Sequence, residues 1–160
     1  MIRAIIVDDE VRSQNTLTQF LAEYCPQVTL VGTANDVLSG VKAIHKHQPD
    51  LVFLDIEMPN YSGFKLIEYF DVLNFQIVFT TAYEDYAIQA FHTATGYLLK
   101  PINIDELIRA VERVEEIMNR KNGNTTLPLE INPAKKIDFC LLYTSPSPRD
   151  ATLSRMPSSA

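Results

Sequence analysis

The chain has 160 residues, enough for one domain with a proper hydrophobic core but not for a second full domain. Hydrophobic residues make up 46% and charged residues 21%, which excludes the disordered and collagen-like classes. The formal net charge of -6 argues against DNA binding by this segment alone, since proteins grip polyanions with basic faces.

The cysteines and the start of the chain bear on its compartment. Cys25 and Cys140 have neither metal-ligand spacing nor a disulfide framework, which favours a reducing cytosol, and we expect Cys25 to be a small buried hydrophobe. The opening residues MIRAIIVDDE predict a strand rather than a signal peptide, because acids interrupt the apolar run at once. With no apolar run long enough to span a membrane, we expect a cytoplasmic chain without a membrane partner.

Short apolar runs alternate with stretches of helical spacing as far as residue 99. The runs are rich in β-branched residues and predict strands buried on both faces, at residues 4–7, 28–31, 51–54, 76–80 and 97–99. Between them, apolar residues three or four apart predict helices through Leu17, Phe20, Leu21 and Tyr24; Val37, Val41 and Ile44; Phe64, Ile67 and Phe70; and Tyr83, Ala87, Ala90 and Phe91.

The last helix has the clearest pattern. Asn103 and Glu106 form a start like a capping box after Pro101, and the helix should end near Asn122 and Gly123. Its apolar stripe comprises Ile104, Leu107, Ile108, Val111, Val114 and Met118. Five strands alternating with five helices imply right-handed crossovers onto one parallel sheet, an open doubly wound α/β fold. In such sheets ligands bind beyond the carboxyl ends of the strands.

The regular pattern stops after residue 121, which predicts one domain over residues 1–121. Residues 122–139 contain Gly, Asn and Pro without a sustained period, so we expect a linker, and residues 136–139 could open a strand of a truncated output domain. Residues 140–160 are rich in Ser and Pro. They are similar to a translated transposase sequencing adapter followed by a flow-cell adapter, so we expect a non-native tail.

Three acids follow predicted strands. Asp8 and Asp9 come directly after the first strand, and Asp55 comes directly after the third. If these strands are neighbours, about 5 Å apart, the carboxylates share a site and repel one another unless a cation intervenes. A hard dication with oxygen ligands suits such a site, and Mg²⁺ can also bind a phosphoryl oxygen there.

A hydroxyl and an ammonium group are predicted at the same edge. Thr80 and Thr81 follow the fourth strand, and Lys100 follows the fifth. Both groups can contact phosphoryl oxygens, while an aspartate can serve as covalent acceptor, so the set indicates phosphoryl transfer. Pro101 stands where a cis peptide could fix the direction of the lysine.

Four segments, in this order, resemble the receiver domains of two-component response regulators: VDDE, LVFLDIEMPNYSGF, FTTAYEDYAIQAF and GYLLKP. The resemblance covers residues 1 to about 120. It implies the flavodoxin-like receiver fold with strand order 2-1-3-4-5, and Asp55 as acceptor of phosphate from the phosphohistidine of a sensor histidine kinase. The domain would be a signalling phosphoacceptor rather than an enzyme.

The same resemblance implies roles for the other site residues. Asp9 and Asp55, with the backbone carbonyl of Glu57, would coordinate Mg²⁺, and Asp8 would act through bound water. Lys100 is similar to the lysine that binds the acyl phosphate. Thr81 is similar to the switch hydroxyl of the family, and Tyr97 to its aromatic rotamer switch.

Two segments, AYEDYAIQAF and YLLKP, are most similar to those of receivers whose output is a LytTR DNA-binding domain. Gly96 stands where those receivers usually have Asp. The resemblance then implies homodimerisation on phosphorylation, and DNA binding only through the missing output domain. Glu57 and Tyr83, each two residues beyond a site residue, are the best placed to admit or block the water that hydrolyses the phosphate. We expect the Tyr83 ring to shield it.

Other functions have sequence features of their own. A haloacid dehalogenase-type hydrolase also uses Asp, Thr, Lys and magnesium, but it needs a second Asp where this chain has Glu57. A stand-alone receiver would not need the residues after Gly123. A nucleotide-binding protein would need a GxxxxGK[ST] or GxGxxG stretch, which does not occur. His45, His47 and His92 are dispersed and are expected to be solvated residues rather than metal ligands.

Overall fold

The computed structural model describes residues 1–121, apart from the side chain of Phe91. In this range five strands alternate with five helices: β1 (Ile2–Val7), α1 (Val11–Tyr24), β2 (Val28–Ala34), α2 (Val37–His47), β3 (Leu51–Asp55), α3 (Gly63–Ile67), β4 (Gln76–Thr81), α4 (Ala87–Phe91), β5 (Gly96–Leu99) and α5 (Ile104–Lys121). A 3-10 turn over Glu84–Tyr86 leads into α4. The predicted linker (122–139), the predicted tail (140–160), Cys140 and the expected end of the last helix lie outside the described residues.

The five strands form one parallel sheet in the order β2-β1-β3-β4-β5. Val7 lies opposite Leu54, and Asp55 lies opposite Thr80. This topology confirms the predicted doubly wound α/β fold with strand order 2-1-3-4-5. Because all strands run in one direction, the carboxyl ends of β1, β3, β4 and β5 meet at one edge of the sheet.

Two hydrophobic clusters cover the two faces of the sheet, because alternate strand residues point to opposite sides. On β1, Ile5 and Val7 belong to one cluster, while Ala4 and Ile6 belong to the other. The first cluster takes its buried helical residues from α2, α3 and α4, and the second takes them from α1 and α5. Every residue of β3 is buried, as expected for a central strand.

The prediction that every strand is buried on both faces is wrong for β2. Only Ala34 of its seven residues is buried, and Thr29 and Thr33 are exposed. β2 pairs with β1 alone and forms an edge of the sheet. Position within a sheet depends on topology, which the local composition of a strand does not encode.

The third and fourth helices are shorter than the apolar spacing suggested. Phe70 lies beyond α3, and Tyr83 precedes the 3-10 turn. Phe70 nevertheless packs its ring against His45 and Phe75, each with a centroid distance of 5.2 Å. The spacing therefore predicted the packing of Phe70 correctly but not that of Tyr83, which is 52% exposed.

The start of α5 is capped as the sequence predicted. The Asn103 side chain accepts a hydrogen bond from the Glu106 backbone N–H at 3.0 Å, and the Asn103 carbonyl accepts one from Leu107 N–H at 3.0 Å. Of the predicted apolar stripe, Leu107, Val111 and Val114 are buried. The helix consequently packs on the sheet beside β5, and its N-terminus follows the loop that carries Lys100.

Three further features of residues 1–121 concern membrane helices, Cys25 and the histidines. No helix in this range is long and apolar enough to cross a membrane. Cys25 is 1% exposed, as expected for a small buried hydrophobe. His45 and His92 are exposed and His47 is half-buried, and none of the three joins a group of potential metal ligands in this part of the chain.

Candidate functional site

The three acids predicted to share a site do so. Asp8 follows β1 and Asp55 ends β3, and these strands are direct neighbours in the sheet. Asp8, Asp9 and Asp55 each offer a carboxylate oxygen, and these oxygens lie within 4.8 Å of one another. Asp8 and Asp55 are buried, whereas Asp9 is exposed. The cluster therefore has two carboxylates shielded from water and one at its mouth.

Lys100 is the cation of this site. Its ammonium lies 2.9 Å from Asp8 Oδ2 and 3.3 Å from Asp55 Oδ2. The peptide bond between Lys100 and Pro101 is cis. The Lys100 backbone N–H donates to the Thr81 carbonyl at 2.7 Å, so the residue is tied to the end of β4. Lys100 thus bridges two acids from neighbouring strands.

The electrostatics of the site are dominated by burial. Burial raises the pKa of Asp55 from 3.8 to about 7, Lys100 opposes the rise, and the Asp8 charge adds to it. For Lys100, burial alone would lower the pKa, but the hydrogen bond to Asp8 and the charge of Asp55 outweigh it and raise the pKa. One ammonium faces three carboxylates here, so the site has a deficit of positive charge that a divalent cation would remove.

Backbone contacts hold Asp55 in place. Its Oδ1 accepts a hydrogen bond from Glu57 N–H at 3.1 Å. Gly63 N–H donates to the Ile56 carbonyl at 2.8 Å. A Cβ on Gly63 would lie 2.2 Å from the Asp55 carbonyl oxygen, closer than any side chain tolerates. The start of α3 therefore lies directly against the loop that follows Asp55, and only glycine fits there.

The two threonines of the site lie inside β4, not after it as the sequence suggested. The strand extends through Thr81 because its hydrogen bonding to β5 continues to the pair Thr81 and Leu99. Thr81 is fully buried, and its hydroxyl oxygen accepts a hydrogen bond from Tyr83 N–H at 3.3 Å. Thr80 is 2% exposed.

Tyr97 lies near the same segment. Its side chain is 8% exposed, and its hydroxyl donates to the Tyr83 backbone carbonyl. The backbone of Tyr83 thus contacts both Thr81 and Tyr97, the two residues expected to act as the switch. The structure brings these three residues together.

Glu57 and Tyr83 lie at the exposed side of the site. The Glu57 carboxylate does not join the acid cluster and accepts a hydrogen bond from the Tyr86 hydroxyl. The Tyr83 ring is 52% exposed and meets the Tyr86 ring edge-on, with centroids 6.5 Å apart. Tyr86 also packs near Phe64, with centroids 6.1 Å apart.

Two residues with contacts in the site were missed by sequence reasoning. Tyr86 reaches Glu57 across 29 positions of sequence, and Gln14 reaches the Asp8 backbone from α1. Tyr86 stands within the segment AYEDYAIQAF, but no local pattern marks its contact with Glu57, and Gln14 belongs to none of the quoted motifs. The buried face of α1 was predicted from the spacing of apolar residues. Gln14 lies on that face but is polar, so this spacing could not identify it.

The chain matches the family model described as the response regulator receiver domain over residues 4–112. An uncharacterized response regulatory protein of Vibrio cholerae is 40% identical over 116 residues, which cover 71% of this chain and 48% of that protein. The transcriptional regulatory protein BtsR of Escherichia coli is 38% identical over 142 residues, 88% of this chain and 58% of that protein. The chain thus spans about half the length of these curated relatives.

Solved structures agree with the sequence comparisons. The response regulatory domain of mrkE from Klebsiella pneumoniae superposes with a TM-score of 0.67 at 29% identity, covering 74% of this chain and 99% of that one. The signal receiver domain of NarL from Mycobacterium tuberculosis gives a TM-score of 0.63 at 26% identity, covering 71% and 96%. These matches set aside the hydrolase and nucleotide-binding alternatives. The chain belongs to the response regulator receiver domain family, the receivers of two-component signalling.

Proposed function

We propose that this domain takes a phosphoryl group from the phosphohistidine of a sensor histidine kinase onto Asp55. The observation that carries the proposal is the buried Asp55 carboxylate, which lies beside Asp8 and Asp9 and within 3.3 Å of the Lys100 ammonium. The Asp55 oxygen forms the new bond to phosphorus as the bond to the imidazole nitrogen breaks, and that nitrogen keeps the electron pair. Lys100 neutralises charge on the phosphoryl oxygens.

A magnesium ion fits the acid cluster. Three carboxylates within 4.8 Å are hard oxygen donors, and Lys100 alone leaves them with excess negative charge. The family resemblance assigns Asp9, Asp55 and the Glu57 carbonyl as direct ligands, and Asp8 as acting through water. Mg²⁺ would supply positive charge for the phosphoryl oxygens. The protein residues hold the acceptor carboxylate in place from β1, β3 and β5.

The phosphorylated state would then be transmitted through Thr81 and Tyr97. The Thr81 hydroxyl oxygen accepts a hydrogen bond from Tyr83 N–H, and its own O–H would donate to an oxygen of a phosphoryl group on Asp55. If Thr81 moves inward, the contact between the Tyr97 hydroxyl and the Tyr83 carbonyl must also adjust. The surface of α4 and β5 changes as a result, and we propose that it mediates homodimerisation.

The output of the whole protein would be transcriptional. The Escherichia coli relative is called a transcriptional regulatory protein, and its match covers 88% of this chain, more than the 121 described residues. We therefore propose a receiver domain at 1–121, and a linker leading into a LytTR-type DNA-binding domain from 122–139. Residues 140–160 remain assigned as a non-native tail on their sequence alone.

The phosphoacceptor is tested by incubation with MgCl₂ and acetyl phosphate. Wild-type protein should carry one acid-labile acyl phosphate per chain, located by mass spectrometry at Asp55, and Asp55→Asn should carry none. Asp71→Asn is the matched control, since Asp71 is exposed and lies beyond α3. Stoichiometric phosphate on Asp55→Asn would overturn the assignment.

A further inference from the structure

Gln14 is a polar side chain on the buried face of α1, in contact with the acid loop. Its side chain is buried, and its amide nitrogen lies 2.6 Å from the Asp8 carbonyl oxygen, 2.8 Å from Asn35 Oδ1 and 3.2 Å from the Ala34 carbonyl oxygen. All three neighbours are acceptors, so the donor end of the amide must face them. Gln14 therefore joins the end of β1 to the end of β2.

The Asp8 carbonyl is the atom through which Gln14 acts on the next residue. Asp8 C=O and Asp9 N–H belong to one planar peptide unit, so a hydrogen bond to the carbonyl fixes the plane from which Asp9 departs. The Asp8 side chain is held separately, by Glu10 N–H at 2.9 Å and by Lys100 at 2.9 Å. Gln14 is thus the contact that acts on the backbone rather than on the carboxylate of Asp8.

Asp9 depends on this backbone support more than the other two acids do. Within residues 1–121 its exposed carboxylate has no hydrogen bond and no ion pair, yet its oxygen lies within 4.8 Å of those of Asp8 and Asp55. Asp55 has Glu57 N–H and Lys100 to orient it. Because the Asp9 carboxylate has no side-chain partner in residues 1–121, its position beside Asp8 and Asp55 depends on the conformation of the Asp9 backbone.

We propose that Gln14 is a positioning residue for the divalent cation, acting through the Asp8–Asp9 peptide to hold the Asp9 carboxylate at the site. This inference rests on the proposed magnesium-dependent function of the same site. Residues that orient metal ligands typically change metal affinity by about 10–100-fold when removed. Losing Gln14 should lower Mg²⁺ affinity about tenfold, at the low end because Asp8 keeps the hydrogen bond from its own N–H to the Ala34 carbonyl at 3.0 Å, through the preceding peptide.

The test is calorimetric titration with MgCl₂ of wild type, Gln14→Met and Leu21→Val, at a temperature well below unfolding. Methionine has the length of glutamine but no donor, and the exchange leaves the charge near the cation unchanged. Leu21 is 2% exposed on the same helix and belongs to the core cluster on the α1 and α5 side, so Leu21→Val lowers stability without touching the acid loop. We expect weaker binding for Gln14→Met and wild-type binding for Leu21→Val.

Equal Mg²⁺ affinity of wild type and Gln14→Met would overturn the role of Gln14 and leave the phosphoacceptor proposal standing. Absence of Mg²⁺ binding by wild type itself would overturn both. If Gln14→Met does not fold, the side-chain amide resonances of Gln14 in wild type decide the matter. They should shift with the same Mg²⁺ midpoint as the Asp9 backbone amide, and resonances that stay fixed would overturn the proposal.

Discussion

At the residue scale, the buried Asp55 carboxylate should reduce the stability of the folded domain once it is ionised. This carboxylate is 4% exposed, stands beside Asp8 and has a pKa raised to about 7, although Lys100 lies within 3.3 Å. An unfolded chain would expose this group and restore a pKa near 3.8. Between these two values the folded protein binds more protons than the unfolded one, so rising pH disfavours folding.

The pH dependence of stability should therefore reveal Asp55 directly. In magnesium-free buffer we expect the free energy of unfolding to fall as pH rises from about 4 to about 7, and to fall much less in Asp55→Asn. Urea unfolding at a series of pH values measures both proteins. Parallel pH profiles for wild type and Asp55→Asn would show that Asp55 titrates normally in the folded state.

A substitution of Tyr83 tests whether its ring shields a phosphate on Asp55 from water. Its backbone contacts Thr81 and Tyr97, but its ring is 52% exposed and has no hydrogen bond in residues 1–121. Tyr83→Ala consequently keeps the backbone contacts and removes only the ring. If the ring shields the acyl phosphate, phosphate release should speed up about tenfold, a barrier change of about 1.4 kcal/mol.

Release is measured by following radiolabelled phosphate on the isolated domain. Tyr69→Ala is the control, since Tyr69 is another exposed tyrosine, 46% exposed and beyond α3. Release that is unchanged or slower in Tyr83→Ala would exclude shielding by this ring. The Glu57 carboxylate, held by the Tyr86 hydroxyl, would then be the next group to examine.

At the element scale, the site depends on how α3 meets the end of β3. Gly63 begins α3, and a Cβ there would lie 2.2 Å from the Asp55 carbonyl oxygen and 3.1 Å from Ile56 Cα. Both are backbone atoms, so a side chain cannot be accommodated by a rotamer change. The start of α3 would have to move away from the strand that carries Asp55.

Gly63→Ala should accordingly lower both stability and phosphorylation. We expect a loss of about 1–3 kcal/mol in the free energy of unfolding, typical of overpacking against fixed atoms, and slower labelling of Asp55 by acetyl phosphate. Gly32→Ala is the control, because a Cβ there would meet side-chain atoms rather than backbone, the His47 ring at 3.3 Å and Ile5 Cγ1 at 3.9 Å. A stable Gly63→Ala that is labelled at the wild-type rate would contradict the close approach.

The elements also show what sequence alone could and could not predict. Apolar runs that stop at Asp8, Asp55 and Lys100 mark strand ends, so the site edge followed from local pattern and the parallel sheet. The half-exposed β2 and the short α4 could not be predicted, because they depend on which neighbours the fold supplies. The contacts of Gln14 with Asn35, and of Tyr86 with Glu57, join residues 21 and 29 positions apart. Such contacts produce no periodic pattern of residue types, so the sequence did not predict them.

At the scale of the whole molecule, the proposed dimerisation requires that a local charge change at Asp55 alters a surface that a second chain can bind. Ile88 on α4 is 57% exposed, while Ala87 and Ala90 on the same helix are buried against the sheet. α4 follows the segment whose backbone contacts Thr81 and Tyr97, so under the proposed function a movement of these two residues would be passed to this helix. An exposed isoleucine there is available to a second copy of the chain.

Ile88→Glu should therefore weaken dimerisation of the activated domain without changing its phosphorylation. In an isologous dimer the substitution occurs twice. Burial of an isoleucine stabilises by about 1.5–3 kcal/mol, so removing a partly buried pair should weaken the dimer at least about tenfold.

Sedimentation equilibrium with the phosphate mimic beryllofluoride and Mg²⁺ measures the dissociation constant. Val72→Glu, at a side chain 68% exposed beyond α3, is the control for a new surface charge. A monomer fraction that does not respond to beryllofluoride in wild type would exclude dimerisation as the output, whereas equal dimerisation of wild type and Ile88→Glu would place the interface away from α4.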